Sequence, residues 1–565
     1  MADAAGKAGA GRAPAAARRG PSALAALAAA LAVVLAQLAG AAAAPPRLVL
    51  VVAVDQLRPD RLDPALPGGL GRLMREGRVY TEAALAHALT ETCPGHATML
   101  TGRHPAALGI PANQFFDPAS GARLSCVYDP SPAAAELHGE GGVSSAAMRA
   151  DALGDWLKRA SPRSRVFAVA GKDRGAVLLA GRHPDGAYWF RGGARPVFTT
   201  SRYYRDALPG WVAAWNGADP PRDGFLAGLP DAWAHGAPGE DAIADDFPGE
   251  GTRFSRTSPH PLRARDLERF AEQLYASPFL DELTLEFARR LLESEDLGRG
   301  PAPDLLALSL SATDLVGHTY GPASREAADA LRRLDAALGA FLALAEARAD
   351  GRLLVALTAD HGVLPLPEWL ERTGRATCPV AGSRTSATRL GAALLARLWW
   401  RHGPWAAVPR AWVDFAGSQG RVNRTLAEAR GVAPEEIVAE AKMLLQRWPA
   451  VGRVWTQAEI AAGDGELAEL YRRSFVPGRS GDFVVQPARG CLLSYYDTGT
   501  SHGSPYDYDR RVPLVLFGPG VPPGRVAGPA ATVDLAPTLA GLLGIPTPQD
   551  LDGRPLSLAE EAASR

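Results

Sequence analysis

Residues 48–54 (LVLVVAV) form an unbroken apolar run that stops at Asp55. A strand buried on one face alternates apolar and polar residues, whereas a strand buried on both reads as continuous. The run therefore predicts a parallel strand with a polar residue at its carboxyl end. Runs of the same kind recur at 166–170 before Gly171 and Lys172, at 305–310 before Asp314, at 353–357 before Asp360, and at 512–517 before Gly518. Helical spacing lies between them: Leu331, Leu334, Leu338, Leu342 and Ala345 fall on one face, and Ser324 is a suitable N-cap. This alternation predicts an α/β fold, a doubly wound and mostly parallel sheet flanked by helices. Ligands of such sheets sit beyond the carboxyl ends of the strands, so the polar residues that end the runs are expected to share one crevice. Two stretches, about 188–261 and about 364–488, break the rhythm and read as insertions that roof or flank the site.

The 565 residues are enough for one large domain with insertions. Residues 1–44 have the order of an export signal: Lys7, Arg12, Arg18 and Arg19, an uncharged Ala/Leu/Val run over 23–36, then small residues before Pro45. An uncleaved N-terminal anchor is the alternative, since no charge interrupts 22–46 and about 20 apolar residues span a bilayer. Either reading places the catalytic part, 45–560, in the periplasm or outside the cell, with no other membrane attachment expected. A net charge of −1 with dispersed basic residues excludes a dedicated nucleic-acid binder. Four cysteines, Cys93, Cys126, Cys378 and Cys491, allow two disulfides in any of three pairings. Cys93 reads as a packed neighbour of Thr92.

The chemistry-bearing residues fall in a few places: Asp55, the pair Asp314 and His318 in ATDLVGHTYGP, the pair Asp360 and His361 in TADHG, and His502 in TSHGSPYDYD. Mixed carboxylate and imidazole ligands suit zinc, and six such groups are enough for two ions that keep positions open for substrate. Asp314 and His318 are four apart, so a helical turn from Ala312 onward projects both from one face. Adjacent Asp360 and His361 flank one ion if they sit in a turn. In TETCPGHATMLTGRHP, Pro94 suits the first turn of a helix, which puts Thr92 at the amino end, where the dipole favours negative charge. Metal contact there supplies the acidity that a threonine hydroxyl lacks.

Together these segments resemble the alkaline phosphatase superfamily, in particular its periplasmic, threonine-nucleophile phosphomonoesterases. VVAVDQLRPD, TETCPGHATMLTG, PANQFFD, AGKDRGA, SATDLVGHTYGP, LTADHG, SHGSPYDYDRRVPL and VDLAPTLAGLLGI occur in the family's order. The resemblance implies two Zn2+ ions, one held by Asp314, His318 and His502, the other by Asp55, Asp360 and His361 with the Thr92 oxygen. It implies that Thr92 is the nucleophile and passes through a phosphothreonine. It further implies that Asn113 donates to a phosphate oxygen and that Lys172 and Arg174 face the nonbridging oxygens. A monoester dianion carries one more charged oxygen than a diester, so two extra cations favour monoesters. The expected enzyme is a monomer acting on small phosphate monoesters. A sulfatase would need Cys-x-Pro-x-Arg, whereas Cys93 is followed directly by Pro94. A nucleotide pyrophosphatase or phosphodiesterase shares Thr92 and all six ligands and is the nearest alternative; a non-catalytic zinc-binding exported protein is a more distant one.

Overall fold

The computed structural model describes residues 44–220, 222–236, 243–263, 266–404 and 411–559. The expected leader, apart from Ala44, lies outside them. Among the described residues a nine-stranded sheet forms from β1 (Leu48–Val54), β2 (Arg78–Ala84), β3 (Val166–Ala170), β4 (Gly186–Arg191), β5 (Val197–Thr199), β6 (Asp304–Leu310), β7 (Leu353–Thr358), β8 (Leu514–Phe517) and β9 (Gly524–Ala531). Their spatial order is β9-β2-β8-β7-β1-β6-β3-β4-β5. Central β1 pairs in parallel with β6 and β7, and the parallel register continues through β3 to β4. Leu48, Leu50, Val52 and Val54 enter one apolar core, while Val49, Val51 and Ala53 enter the other. Both faces of β1 are therefore dry, which is why its sequence shows no alternation.

The run at 512–517 departs from expectation. It forms β8, antiparallel to both β7 and β2, so Gly518 leaves the sheet at the end opposite the crevice. The chain reaches β8 from His502 through residues 503–513, on the crevice side, and a return to that end for a parallel strand would need a crossover of a dozen or more residues. β5 is antiparallel to β4 for the same reason, being joined by residues 192–196. The sheet thus takes up residues 186–199, and what stands apart from it begins after Thr199. The later stretch contains a four-stranded antiparallel sheet of Val413–Ala416, Gln419–Val422, Val451–Thr456 and Phe483–Pro487. It has its own core, which includes Leu394, Leu398, Trp412, Ile437 and Phe483.

Four helices matter for the site: α1 (Thr92–Thr101), α2 (Asp173–Ala180), α3 (Ala312–Tyr320) and α4 (Arg325–Arg348). Ser324 caps α4 by accepting from the Ala327 N–H at 3.0 Å. Two disulfides join Cys93 to Cys126 and Cys378 to Cys491. Cys93 is thus covalently tied one residue after Thr92 and is not merely packed beside it. No helix among the described residues is long and apolar enough to cross a membrane.

Candidate active site

Asp55 follows β1, Lys172 and Arg174 lie at the start of α2 after β3, Asp314 and His318 sit on α3 after β6, and Asp360 and His361 follow β7. The parallel register brings these ends together, as expected for such a sheet. His502 arrives from the loop before β8, and its ring stacks on His361 with centroids 3.5 Å apart. Thr92 is the first residue of α1, 1 % exposed, with extended Glu91 as N-cap.

The imidazoles share one arrangement. His318 Nδ1 donates to the Thr500 carbonyl at 2.7 Å, His502 Nδ1 to the Thr90 carbonyl at 2.7 Å, and His361 Nδ1 to the Gly362 carbonyl at 3.0 Å. A carbonyl accepts only from N–H, so in each neutral ring the Nε2 lone pair is left facing the cluster. His318 Nε2 lies 3.2 Å from Asp314 Oδ1, His361 Nε2 3.2 Å from Asp360 Oδ2, and His502 Nε2 3.8 Å from Asp314 Oδ1. Burial, with His361 and His318 beside it, holds His502 well below the usual range, and burial pushes His361 down to about 4. Both rings are therefore neutral at pH 7. Asp360 Oδ2 and His361 Nε2 are buried without a hydrogen-bond partner. Lone pairs meeting lone pairs in a dry site are costly unless a cation stands between them. The donor set thus fits divalent metal.

Lys172 Nζ donates to Asp55 Oδ2 at 3.0 Å and to Asp314 Oδ2 at 2.6 Å. The expectation set this ammonium against phosphate oxygens; here it lies between two carboxylates. Burial alone would raise both carboxyls, but the Lys172 ammonium between them outweighs it and holds both below the usual range. Burial followed by the neighbouring Asp55 raises Asp360. Arg174 lines a cleft of about 1570 Å³ together with Asn113, Lys172, Asp314, His318 and His502. Asn113 Oδ1 accepts from the Cys93 N–H at 2.8 Å at the start of α1, which leaves its Nδ2 as the donor end.

Three contributors escaped the sequence reading. His96, four residues after Thr92 on α1, returns its Nδ1–H to the Thr92 carbonyl at 2.9 Å and lies 3.3 Å from both Asp55 and Asp360. The Ser309 hydroxyl donates to Asp55 at 3.0 Å, so His96 Nε2, 2.9 Å from that oxygen, is also a donor. Burial opposes the imidazolium, but Asp360 and Asp55 prevail and lift the ring to about 10. The ligand atoms of Asp55, His96 and Asp360 lie within 4.8 Å of one another, as do those of Asp314, His361 and His502. With both nitrogens donating, however, His96 has no lone pair to offer and positions the carboxylates instead. The i,i+4 spacing from Thr92 was its only signal.

Gln56 takes φ 65°, uncommon for a side chain of this size. Its N–H donates to Asp360 Oδ1 at 3.0 Å and its Nε2 to Asp314 Oδ1 at 2.7 Å. Glu91 Oε2 accepts from the Asn113 N–H at 2.8 Å and so fixes the loop that carries that amide. Nothing in the sequence marked either residue.

The type I phosphodiesterase/nucleotide pyrophosphatase family model matches residues 49–507. Alkaline phosphatase PhoK of a Sphingomonas species is 34 % identical over 553 residues, covering 92 % of each chain. Alkaline phosphatase PhoD of Zymomonas mobilis is 31 % identical over 533 residues, covering 91 % of this chain and 88 % of its own. The crystal structure of alkaline phosphatase PafA superposes with a TM-score of 0.82 at 26 % identity, covering 91 % of this chain and 98 % of that one. Another structure of PafA is of a variant altered at a threonine, an asparagine, a lysine and an arginine, the residue types of Thr92, Asn113, Lys172 and Arg174 in the same order. The chain therefore belongs to the type I phosphodiesterase/nucleotide pyrophosphatase family of the alkaline phosphatase superfamily.

Proposed function

We propose that this chain is an exported, two-zinc hydrolase of small phosphate monoesters in which Thr92 is the nucleophile. Asp314, His318 and His502 would hold one ion, and Asp55, Asp360 and His361 the other, with the Thr92 oxygen. The observation that carries the reading is the common orientation of the three imidazoles, whose Nδ1–H groups are committed to backbone carbonyls and whose Nε2 atoms face the two carboxylates Asp314 and Asp360. When bound, the two ions supply Lewis acidity that favours the threonine alkoxide and takes up charge on the leaving oxygen.

The chain's own residues do the rest. Thr92 Oγ, at the positive end of α1, attacks phosphorus in line, forming a P–O bond as the ester P–O bond breaks and the alkoxide leaves. Water then attacks the phosphothreonine from the vacated side, which restores Thr92 and releases inorganic phosphate. Asn113 Nδ2 and the Arg174 cation bind the nonbridging oxygens and place phosphorus against Thr92, joined by Lys172 once its carboxylate partners Asp55 and Asp314 are taken up by the ions. His96 holds Asp55 and Asp360 in position beneath. The two disulfides support an oxidising, extracytoplasmic setting.

The family model is named for diesterases, so substrate charge is the point to test. Phenyl phosphate is expected to be cleaved with a kcat/KM at least about 100-fold above that of its methyl diester, since one added charge-assisted contact at a dry site contributes roughly 2–4 kcal/mol. A strong preference for the diester would overturn the monoesterase reading.

A further inference from the structure

The residues that follow the sheet after Thr199 cross over the carboxyl end of α3 and the first turn of α4. Gly251 N–H donates to the Thr319 carbonyl at 2.7 Å, Arg325 Nε to the Ile243 carbonyl at 3.2 Å, and Trp233 Nε1 to Asp329 at 2.9 Å. Beneath this crossing lies a second histidine–carboxylate cluster that the proposed catalysis does not use. His260 Nε2 is 3.1 Å from Glu326 Oε1, His235 Nε2 is 3.5 Å from the same oxygen, and His235 Nε2 is 3.3 Å from Asp245 Oδ1. Glu326 is fully buried, His260 is 3 % exposed, and ligand atoms of His235, His260 and Glu326 lie within 4.8 Å of one another.

Mutual hydrogen bonding accounts for this cluster poorly. Two rings converge on Oε1 of Glu326, while its Oε2 is buried without any partner. A nearby carboxylate oxygen, Glu250 Oε1, is also buried and unpartnered. His235 Nδ1 donates to the carbonyl of the next residue, Gly236, at 3.3 Å, the same arrangement that His361 has with Gly362. The Tyr320 hydroxyl meets His260 Nδ1 at 3.2 Å and orients that ring. The Nε2-to-oxygen separations are longer than the ~2.8 Å of a charge-assisted hydrogen bond. They approach the ~3.4 Å edge of a tetrahedron whose centre lies ~2.1 Å from each ligand, as around zinc.

We propose that His235, His260 and Glu326, with Asp245 as the fourth ligand, form a structural site for a divalent transition metal, zinc by donor type, separate from the catalytic cleft. Its role is to pin residues 233–236 and 243–261 onto α3 and α4. Tyr320, the last residue of α3, orients His260, and α3 carries Asp314 and His318, so the ion stiffens the helix on which two catalytic ligands stand.

The test is elemental analysis of the purified full chain beside Glu326→Gln, His260→Gln and His235→Ala, with melting temperature and circular dichroism recorded for each. Every variant is expected to carry one zinc equivalent fewer than the parent, to keep the remaining metal and its secondary structure, and to melt at a lower temperature. Because the readout is a difference between parent and variant, it does not depend on what the catalytic cleft binds. Where Glu326→Gln gives no folded protein, His235→Ala, altered outside any helix or strand, decides alone. An unchanged metal content in the folded variants overturns the proposal.

Discussion

A histidine whose Nδ1–H is committed to a backbone carbonyl has one lone pair left, and its direction states what the ring is for. His318, His361 and His502 all point theirs at carboxylates, whereas His96, donating from both nitrogens, has none to give. This separates the proposed ligands from a positioning residue more firmly than spacing does. Lys172 is the side chain with most to decide, because it touches Asp55 and Asp314 and also lines the cleft. Replacing it with alanine is expected to lower kcat/KM for phenyl phosphate by at least about 100-fold and for the methyl diester by less than about tenfold, since only the dianion requires the added cation. Steady-state rates on the two esters check this. Thr92→Ser, which keeps the hydroxyl, is expected to retain measurable turnover, read in the same assay.

The elements show where sequence was enough and where it was not. β1 and β3 match their apolar runs residue for residue, because a strand dry on both faces has no other composition open to it. α3 places Asp314 and His318 on one face as their spacing requires, and α1 opens at Thr92. Strand direction was not legible: the run at 512–517 has the composition of a parallel strand, and only the short path from His502 makes β8 antiparallel. The cysteine pairing was equally silent, since Cys93 and Cys126 meet through the fold and not through spacing. Gln56 and Glu91 contribute by backbone shape and by a single long-range bond, neither of which has a compositional signature.

Gly95 illustrates how closely α1 and the turn after β7 approach. A Cβ there would lie 2.2 Å from the Asp360 carbonyl oxygen. Gly95→Ala must push α1 away from that turn, so it is expected to cost roughly 1–3 kcal/mol of stability and to lower kcat. Denaturant midpoints and turnover measured together check this outcome.

At the scale of the whole molecule, residues distant in sequence, from Asp55 to His502, meet at one end of a single sheet. The expected ligands could be chosen from the sequence because chemistry limits which residue types serve; how far each lies from the others depended on the sheet order. The inserted stretches do more than cover this end: Trp233 and Gly251 of the first bond to α4 and α3, and residues of the second, such as Val413 and Phe415, line the cleft. The disulfide at Cys93 ties the start of α1 to the segment after Asn113, so Thr92 and Asn113, the proposed nucleophile and the proposed donor to phosphate, are held as one unit. The central claim is that phosphate passes through Thr92. It is tested most directly by acid-quenching the enzyme during turnover of a phosphate monoester and mapping phosphopeptides by mass spectrometry. The account predicts phosphate on the peptide containing Thr92, none in Thr92→Ala, and turnover by that variant reduced at least about 1000-fold. A Thr92→Ala enzyme as active as the parent, with no phosphate at position 92 of the parent, would contradict it.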